Sequence, residues 1–351
     1  MRKGILRAAC SSIAAIILGA GLSLAASAAP AVVSTPADWL TRMVSAPATN
    51  SYEGFFIYEN AGGLTSIRIF HSGVDGKEQE RLVYQDGPYR ELLRRGDQVA
   101  MVRPDGDVSR FSSDSTSPSV IERLGSYRDD LRRSYRLMFG GDDRVAGRNV
   151  LRVEVQPRDQ HRYGYILWID QETGVLLRSE MLGEKGAVLE RFQYIHFEPA
   201  RTISAKQLEP SRAVTWEAAS KPAPKPAPKD EVSKAEVPKK EMLALWWETG
   251  WIPNGFDVTS QNTVDSPVSK QKADSILFSD GLASFSIFVE EDHSRVQGPA
   301  SEQIGATSAV SRIFRKGDAY YNVTVIGEIP LGTAERIAVS VKAAEQVAES
   351  P

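Results

Sequence analysis

Leu151-Arg152-Val153-Glu154-Val155, then Tyr163-Gly164-Tyr165-Ile166-Leu167-Trp168-Ile169, then the turn Asp170-Gln171-Glu172-Thr173-Gly174, decide the fold of this chain. Leu151, Val153 and Val155 fall on one side of an extended backbone and Arg152 and Glu154 on the other; Tyr163, Tyr165, Leu167 and Ile169 repeat the pattern. Period-two alternation is the mark of a half-buried β-strand, and a polar stretch closed by glycine turns the chain back on itself. Working outward, Val175 to Leu182 and Val188 to Phe197 flank Gly183-Glu184-Lys185-Gly186, a second hairpin.

The same grammar runs upstream. Tyr52 to Asn60 and Leu64 to His71 are divided by Ala61-Gly62-Gly63, and Asp86-Gly87-Pro88, Gly96-Asp97 and Pro104-Asp105-Gly106-Asp107 punctuate three more runs. In the first strand Phe55 and Ile57 are assigned to the core face. Thr35 as N-cap, Pro36 at the first helical position and Trp39, Leu40, Met43 and Val44 on one side predict a helix ahead of the strands, with Asp38 suited to its positive end. Between the two strand groups, Pro118 to Phe139 has helical spacing. The expectation is one large, curved, antiparallel sheet covered by helices.

A tether separates this region from a smaller one. Lys221-Pro222-Ala223-Pro224-Lys225-Pro226-Ala227-Pro228-Lys229 excludes helix and sheet interiors and favours an extended polyproline chain, about 28 Å over nine residues. Beyond it, Leu282 to Glu290, Ala309 to Phe314 and Tyr320 to Ile326 read as strands. Ala334, Ile337, Ala338 and Val341 make a closing helix with Thr333 as its N-cap. The expected division is 1–28 signal peptide, 29–212 large domain, 213–240 Lys/Pro/Ala-rich linker and 241–347 small α+β domain.

Met1-Arg2-Lys3, the apolar stretch from Ala8 to Leu24 and Ala26-Ser27-Ala28 have the order of an export signal. Cys10 is the single cysteine and lies inside it, so a matured chain has neither disulfides nor thiol chemistry. Loss of Arg2, Lys3 and Arg7 takes the formal charge from −3 to −6, which disfavours non-specific nucleic-acid binding. His71, His161, His196 and His293 stand apart, with no H-E-x-x-H pair; no G-x-S-x-G elbow and no phosphate loop is present. No enzyme, metal or cofactor is expected. Arg128, Arg132 and Arg136 recur at i, i+4, i+8, a stripe suited to a lipid headgroup phosphate or an acidic peptide, or a solvated helix face.

Several strings resemble one family. Pro157-Arg158-Asp159-Gln160-His161-Arg162-Tyr163-Gly164-Tyr165, Trp251-Ile252-Pro253-Asn254-Gly255-Phe256, Ser279-Asp280-Gly281-Leu282-Ala283-Ser284-Phe285-Ser286 and Val325-Ile326-Gly327-Glu328-Ile329-Pro330-Leu331-Gly332 are similar, in the same order, to the MucB/RseB periplasmic sigma-factor regulators. The resemblance implies a large domain like the lipoprotein carriers, an unclosed antiparallel half-barrel over helices, beside a smaller α+β domain. It implies a periplasmic negative regulator that binds the periplasmic part of a transmembrane anti-sigma factor and shields it from site-1 proteolysis, with lipid or lipopolysaccharide as the releasing ligand. Asp280, Gly281, Leu282, Gly327 and Glu328 become candidates for the partner surface. A lipid or lipoprotein chaperone using the half-barrel cavity is the alternative, and homo-oligomerisation is left open.

Overall fold

The computed structural model describes residues 35–74, 77–96, 98–112, 124, 129–214, 216, 245–266, 269, 271–291 and 299–344. The expected export signal, the tether from 217 onward, Arg128 and His293 lie outside the described residues.

The first helix, α1 (Pro36–Thr49), starts where the sequence places it. Thr35 Oγ1 accepts the amide of Asp38 at 3.2 Å, and the Asp38 carboxylate accepts the amide of Thr35 at 3.0 Å, a capping box that satisfies two otherwise unpaired donors. Leu40, Met43 and Ala46 form its buried stripe. Pro47 stands in the last turn, where carbonyls lack helical partners, and its carbonyl accepts a 2.8 Å bond from His71 Nε2. That bond fixes the end of α1 to the sheet.

The large domain contains β1 (Ser51–Asn60), β2 (Gly63–Val74), β3 (Lys77–Tyr84), β4 (Glu91–Arg95), β5 (Gln98–Val102), β6 (Val108–Ser112), the short α2 (Asp129–Ser134), β7 (Tyr135–Val145), β8 (Arg148–Pro157), β9 (Gly164–Asp170), β10 (Leu176–Leu182), β11 (Val188–Ala200) and α3 (Ala205–Leu208). The eleven strands make one antiparallel sheet in the order β6-β5-β4-β3-β2-β1-β11-β10-β9-β8-β7, with β6 and β7 at its free ends. It is the unclosed sheet that the resemblance implies. The Asp170 turn is held by its own side chain, which accepts the Thr173 amide at 2.7 Å and receives Arg148 at 2.6 Å. Val153, Val155, Tyr165, Leu167 and Ile169 are buried together against α1, so the alternation of β8 and β9 faces a core.

Two local expectations are corrected. The predicted helix over 118–139 ends, among its described residues, at Ser134, and Tyr135 opens β7, paired with β8 from Tyr135↔Pro157 to Val145↔Arg148. A strand there completes a ten-residue ladder that a longer helix would forfeit. In β1 the inward residues are Tyr52 and Phe56; Phe55 faces out beneath the Arg68 guanidinium at 5.3 Å. The assignment of Phe55 and Ile57 to the core face took the wrong parity, and the packing of Phe56 on Phe192 and Tyr194 fixes the other one.

The small domain is a six-stranded antiparallel sheet covered by one helix. Its strands are β12 (Trp247–Thr249), β13 (Asp257–Asp265), β14 (Lys272–Ser279), β15 (Ser284–Glu291), β16 (Ala300–Ile304), β17 (Thr307–Lys316) and β18 (Ala319–Gly327), followed by α4 (Leu331–Ser340) and β19 (Val341–Ala343). The main sheet runs β13-β14-β15-β18-β17-β16, and β12 pairs with β19 separately. Phe278, Phe285, Ile287, Val323, Val325, Ala334 and Ile337 are its core. Thr333 is not the N-cap: Pro330 occupies that position, and Thr333 is a buried first-turn residue whose hydroxyl is used elsewhere. Val341 is buried as expected, but from β19 after the helix has ended. No helix among the described residues is long and apolar enough to cross a membrane.

Candidate functional site

The joint between the two domains is built from the loop after β8 on one side and two turns of the small domain on the other. Arg162 is its centre, with a side chain fully out of solvent. Its Nε and Nη2 donate to the two oxygens of Asp159 at 3.0 Å each, Nη1 donates to Asp280 at 2.6 Å, and Nη2 also donates to the carbonyl of Asn254 at 2.6 Å. The guanidinium plane lies 4.8 Å from the Phe256 ring. Four of its five donors are therefore used, two of them across the joint; a buried charge is tolerable only when it is paired in this way.

Asp280 is equally saturated. One carboxylate oxygen receives the amides of Leu282 and Ala283 at 2.9 and 2.7 Å, and the other receives Arg162 and the Tyr135 hydroxyl, the latter at 3.1 Å. Burial, followed by the nearby Asp280 charge, raises the Tyr135 pKa well above the ordinary phenol value, so Tyr135 remains a donor. The tight Asp280-Gly281-Leu282 turn needs a left-handed residue, and Gly281 supplies it at φ 93°. The turn drives Leu282, fully buried, into the large-domain cluster of Leu131, Tyr135 and Tyr163. Burial of one leucine there contributes about 1.5–3 kcal/mol.

Further contacts surround this centre. The Tyr163 hydroxyl donates to the Ile329 carbonyl at 3.0 Å and accepts from Gln303 Nε2 at 3.2 Å. His161 Nδ1 lies 3.0 Å from the Thr333 hydroxyl, and its ring meets Trp251 edge-on at 5.0 Å while Arg336 covers Trp251 at 3.8 Å. Burial lowers the His161 pKa; Arg336 and Arg162 lower it further, against the opposing pull of Asp159. Alongside runs a groove of about 520 Å³ whose walls include Glu154, Gln156, Gly164, Leu182, Glu184 and Pro330. The large domain supplies nearly all of its lining, and Pro330 is the small domain's contribution.

The candidate residues read from sequence separate into three groups. Asp280, Gly281 and Leu282 are brought together in one turn, but the side chains of Asp280 and Leu282 are buried against the large domain, and Gly281 alone is exposed. Gly327 ends β18 at Phe285, so close that a Cβ would overlap the Phe285 backbone, and the adjacent Glu328 amide bonds the Ser284 carbonyl at 3.0 Å. Both are half-buried at the joint side of the small domain. Arg132 and Arg136 are exposed, one on α2 and one on β7, so the two do not continue one helical stripe. His71 and His161 are far apart in role, and no group of three metal-ligating side chains occurs among the described residues.

Arg162, His161 and Tyr163 were missed as joint residues. Their one signal was the placement of an Asp/Arg pair three residues apart in a loop that otherwise served only to carry the resemblance.

Two family models match the chain, the MucB/RseB N-terminal domain over residues 35–212 and the MucB/RseB C-terminal domain over residues 242–342. A curated relative, the sigma factor AlgU regulatory protein MucB of Pseudomonas aeruginosa, is 35% identical over 310 residues, covering 87% of this chain and 90% of that protein. Among solved structures, the MucA/MucB complex of Pseudomonas aeruginosa superposes with a TM-score of 0.68 at 33% identity, over 88% of this chain and 99% of that one. MucB in complex with MucA(peri) gives 0.67 at 32% identity, over 89% and 100%. Both domains match, in the same order and over nearly their whole lengths, and the chain therefore belongs to the MucB/RseB family of sigma-factor regulatory proteins.

Proposed function

We propose that this chain is a periplasmic negative regulator of an envelope-stress sigma factor, acting by binding the periplasmic segment of a transmembrane anti-sigma factor of the MucA/RseA kind. The bound segment is held away from its site-1 protease, and no chemistry is performed on it. The observation that carries this reading is the match of both domains, in order, to MucB solved in complex with MucA(peri); the groove beside the joint, walled by the large domain with Pro330 of the small domain at its edge, is the seat we assign to the segment. Residues 1–28 act as the export signal and 213–240 as the tether, whose length sets how far the domains part. Lipid or lipopolysaccharide releases the segment by favouring another arrangement.

The test is a cleavage assay. The anti-sigma segment is incubated with its site-1 protease, alone and with an equimolar amount of this protein; the expected result is a lengthened half-life, shortened again by lipopolysaccharide. Unchanged cleavage in the presence of the protein removes the reading. A second reading, a lipid or lipoprotein chaperone, is favoured by a separate cavity of about 260 Å³ between α1 and the sheet, walled by Tyr52, Phe56, Phe192 and Tyr194. It predicts a lipid bound stoichiometrically in protein purified without delipidation.

A further inference from the structure

His161 occupies an unusual place in the joint. It belongs to the large domain, yet its hydrogen-bond partner, Thr333, and its ring partner, Trp251, both belong to the small domain. Around it the charges are Asp159 and Arg162 from its own loop and Arg336 from α4; Asp280, from the β14–β15 turn, acts on Arg162 from the far side. Both carboxylates are committed to Arg162, Asp159 through two bonds and Asp280 through one. An imidazolium formed at this position therefore faces two guanidinium groups, with Asp159 already shared.

We propose that the joint is acid-sensitive, and that protonation of His161 releases α4 and the Trp251 loop from the large domain. The neutral ring makes both of its contacts without cost. The charged ring is repelled by Arg162 and Arg336 and is held in a partly desolvated seat. Separation of the domains gives it water and distance from Arg336, so the open arrangement binds the proton more tightly. Burial and the two arginines depress the His161 pKa in the closed form, and the sign follows from linkage. Closure has its full strength above the ordinary histidine range, near 6.5, and weakens as pH falls through that range. One titrating group limits the rise in the open-to-closed ratio to at most about tenfold per pH unit. The acid response belongs to the joint itself and does not depend on which partner the groove holds.

Energy transfer between dyes tests it. Val339 on α4 and Ile195 on β11 are both exposed and lie on the two domains, so Val339→Cys and Ile195→Cys in a Cys10→Ser background place one dye on each. The expected result is a single high-transfer state at about pH 7.5 and a growing low-transfer population between about pH 7 and 5, with far-UV circular dichroism unchanged. His161→Gln keeps a hydrogen-bonding side chain without a titrating ring, and should hold the high-transfer state at about pH 5.5. His161→Arg should populate the low-transfer state already at about pH 7.5. Absence of a pH response, an equal response in His161→Gln, or loss of transfer only in step with loss of secondary structure would each overturn the proposal.

Discussion

Arg162 and Asp280 meet at 2.6 Å across the two domains, and solvent reaches neither side chain. Partners so placed are unequal in what their loss does. Removing one strands the other, at a typical cost of about 3–5 kcal/mol, whereas replacing both with apolar residues of similar volume is often close to neutral.

The first prediction is therefore a non-additive cycle. Asp280→Ala and Arg162→Met should each lower the denaturant midpoint strongly. The double variant Arg162→Met/Asp280→Leu should recover a large part of the combined loss, because no fully buried charge is left without a partner at the joint. Asp159 stays half-exposed and can be solvated. Equilibrium unfolding in urea checks this, and simple additivity would show that the two residues do not act as a pair.

Leu282→Ala should destabilise the protein by about 2–5 kcal/mol, the range for truncating a fully buried leucine. The loss arises in the large-domain cluster although the residue belongs to the small domain. Val339→Ala, on an exposed face of α4, should change stability by less than about 0.5 kcal/mol. Thermal unfolding of both variants makes the comparison.

Glu91 gives the large domain an acid limit. Its carboxylate is buried, which raises its pKa, but hydrogen bonds from Ser211, Tyr89 and Arg81 more than offset this and leave the value below that of an ordinary glutamate. Stability from this site is present above the ordinary value near 4.5 and is lost as pH falls through the lowered one. Glu91→Gln should narrow the difference between midpoints measured at about pH 6 and about pH 3. An unaltered difference would place the acid sensitivity elsewhere.

His71 acts with the opposite sign. Burial opposes its charge, but the Glu80 carboxylate, 3.8 Å from Nδ1, and the Pro47 carbonyl together raise its pKa. Its contribution is complete below the ordinary histidine value and disappears as pH rises through the raised one. His71→Gln should then cost more at about pH 6 than at about pH 9, as read from urea midpoints at the two pH values.

What was legible in the sequence was whatever is local. Thr35 and Pro36 announce α1, and strict alternation announces β8 and β9, because a half-buried strand must alternate. The Asp257–Asp265 strand escaped notice for the same reason: β13 is an edge strand, largely exposed, and Thr259, Ser260, Gln261, Asn262 and Thr263 show no apolar face. The arginine spacing through 128–136 imitated a helix where the chain changes to strand at Tyr135. Least legible was the direction in which Asp280 and Leu282 point. The turn was recognisable, but its partners Tyr135, Leu131 and Arg162 lie over a hundred residues earlier, and no local pattern records that meeting.

The pairing of β1 with β11 has a kinetic meaning. Ser51 meets Ala200 there, in the middle of the eleven-stranded sheet, so the ladder that joins the two hairpin arms of the large domain runs through the first and last of its strands. Each arm can zip locally, but the central seam must wait until nearly the whole domain has emerged. Contacts of such long sequence separation form slowly, since chain entropy is lost before they reward it. Until then β1 and β11 present bare edges, where a nascent chain pairs with the wrong neighbour. For this fold the vulnerable interval lies between emergence of the last strand and closure of the seam, and a substitution that slows closure at Gly54 or Phe197 would first lower the yield of folded protein.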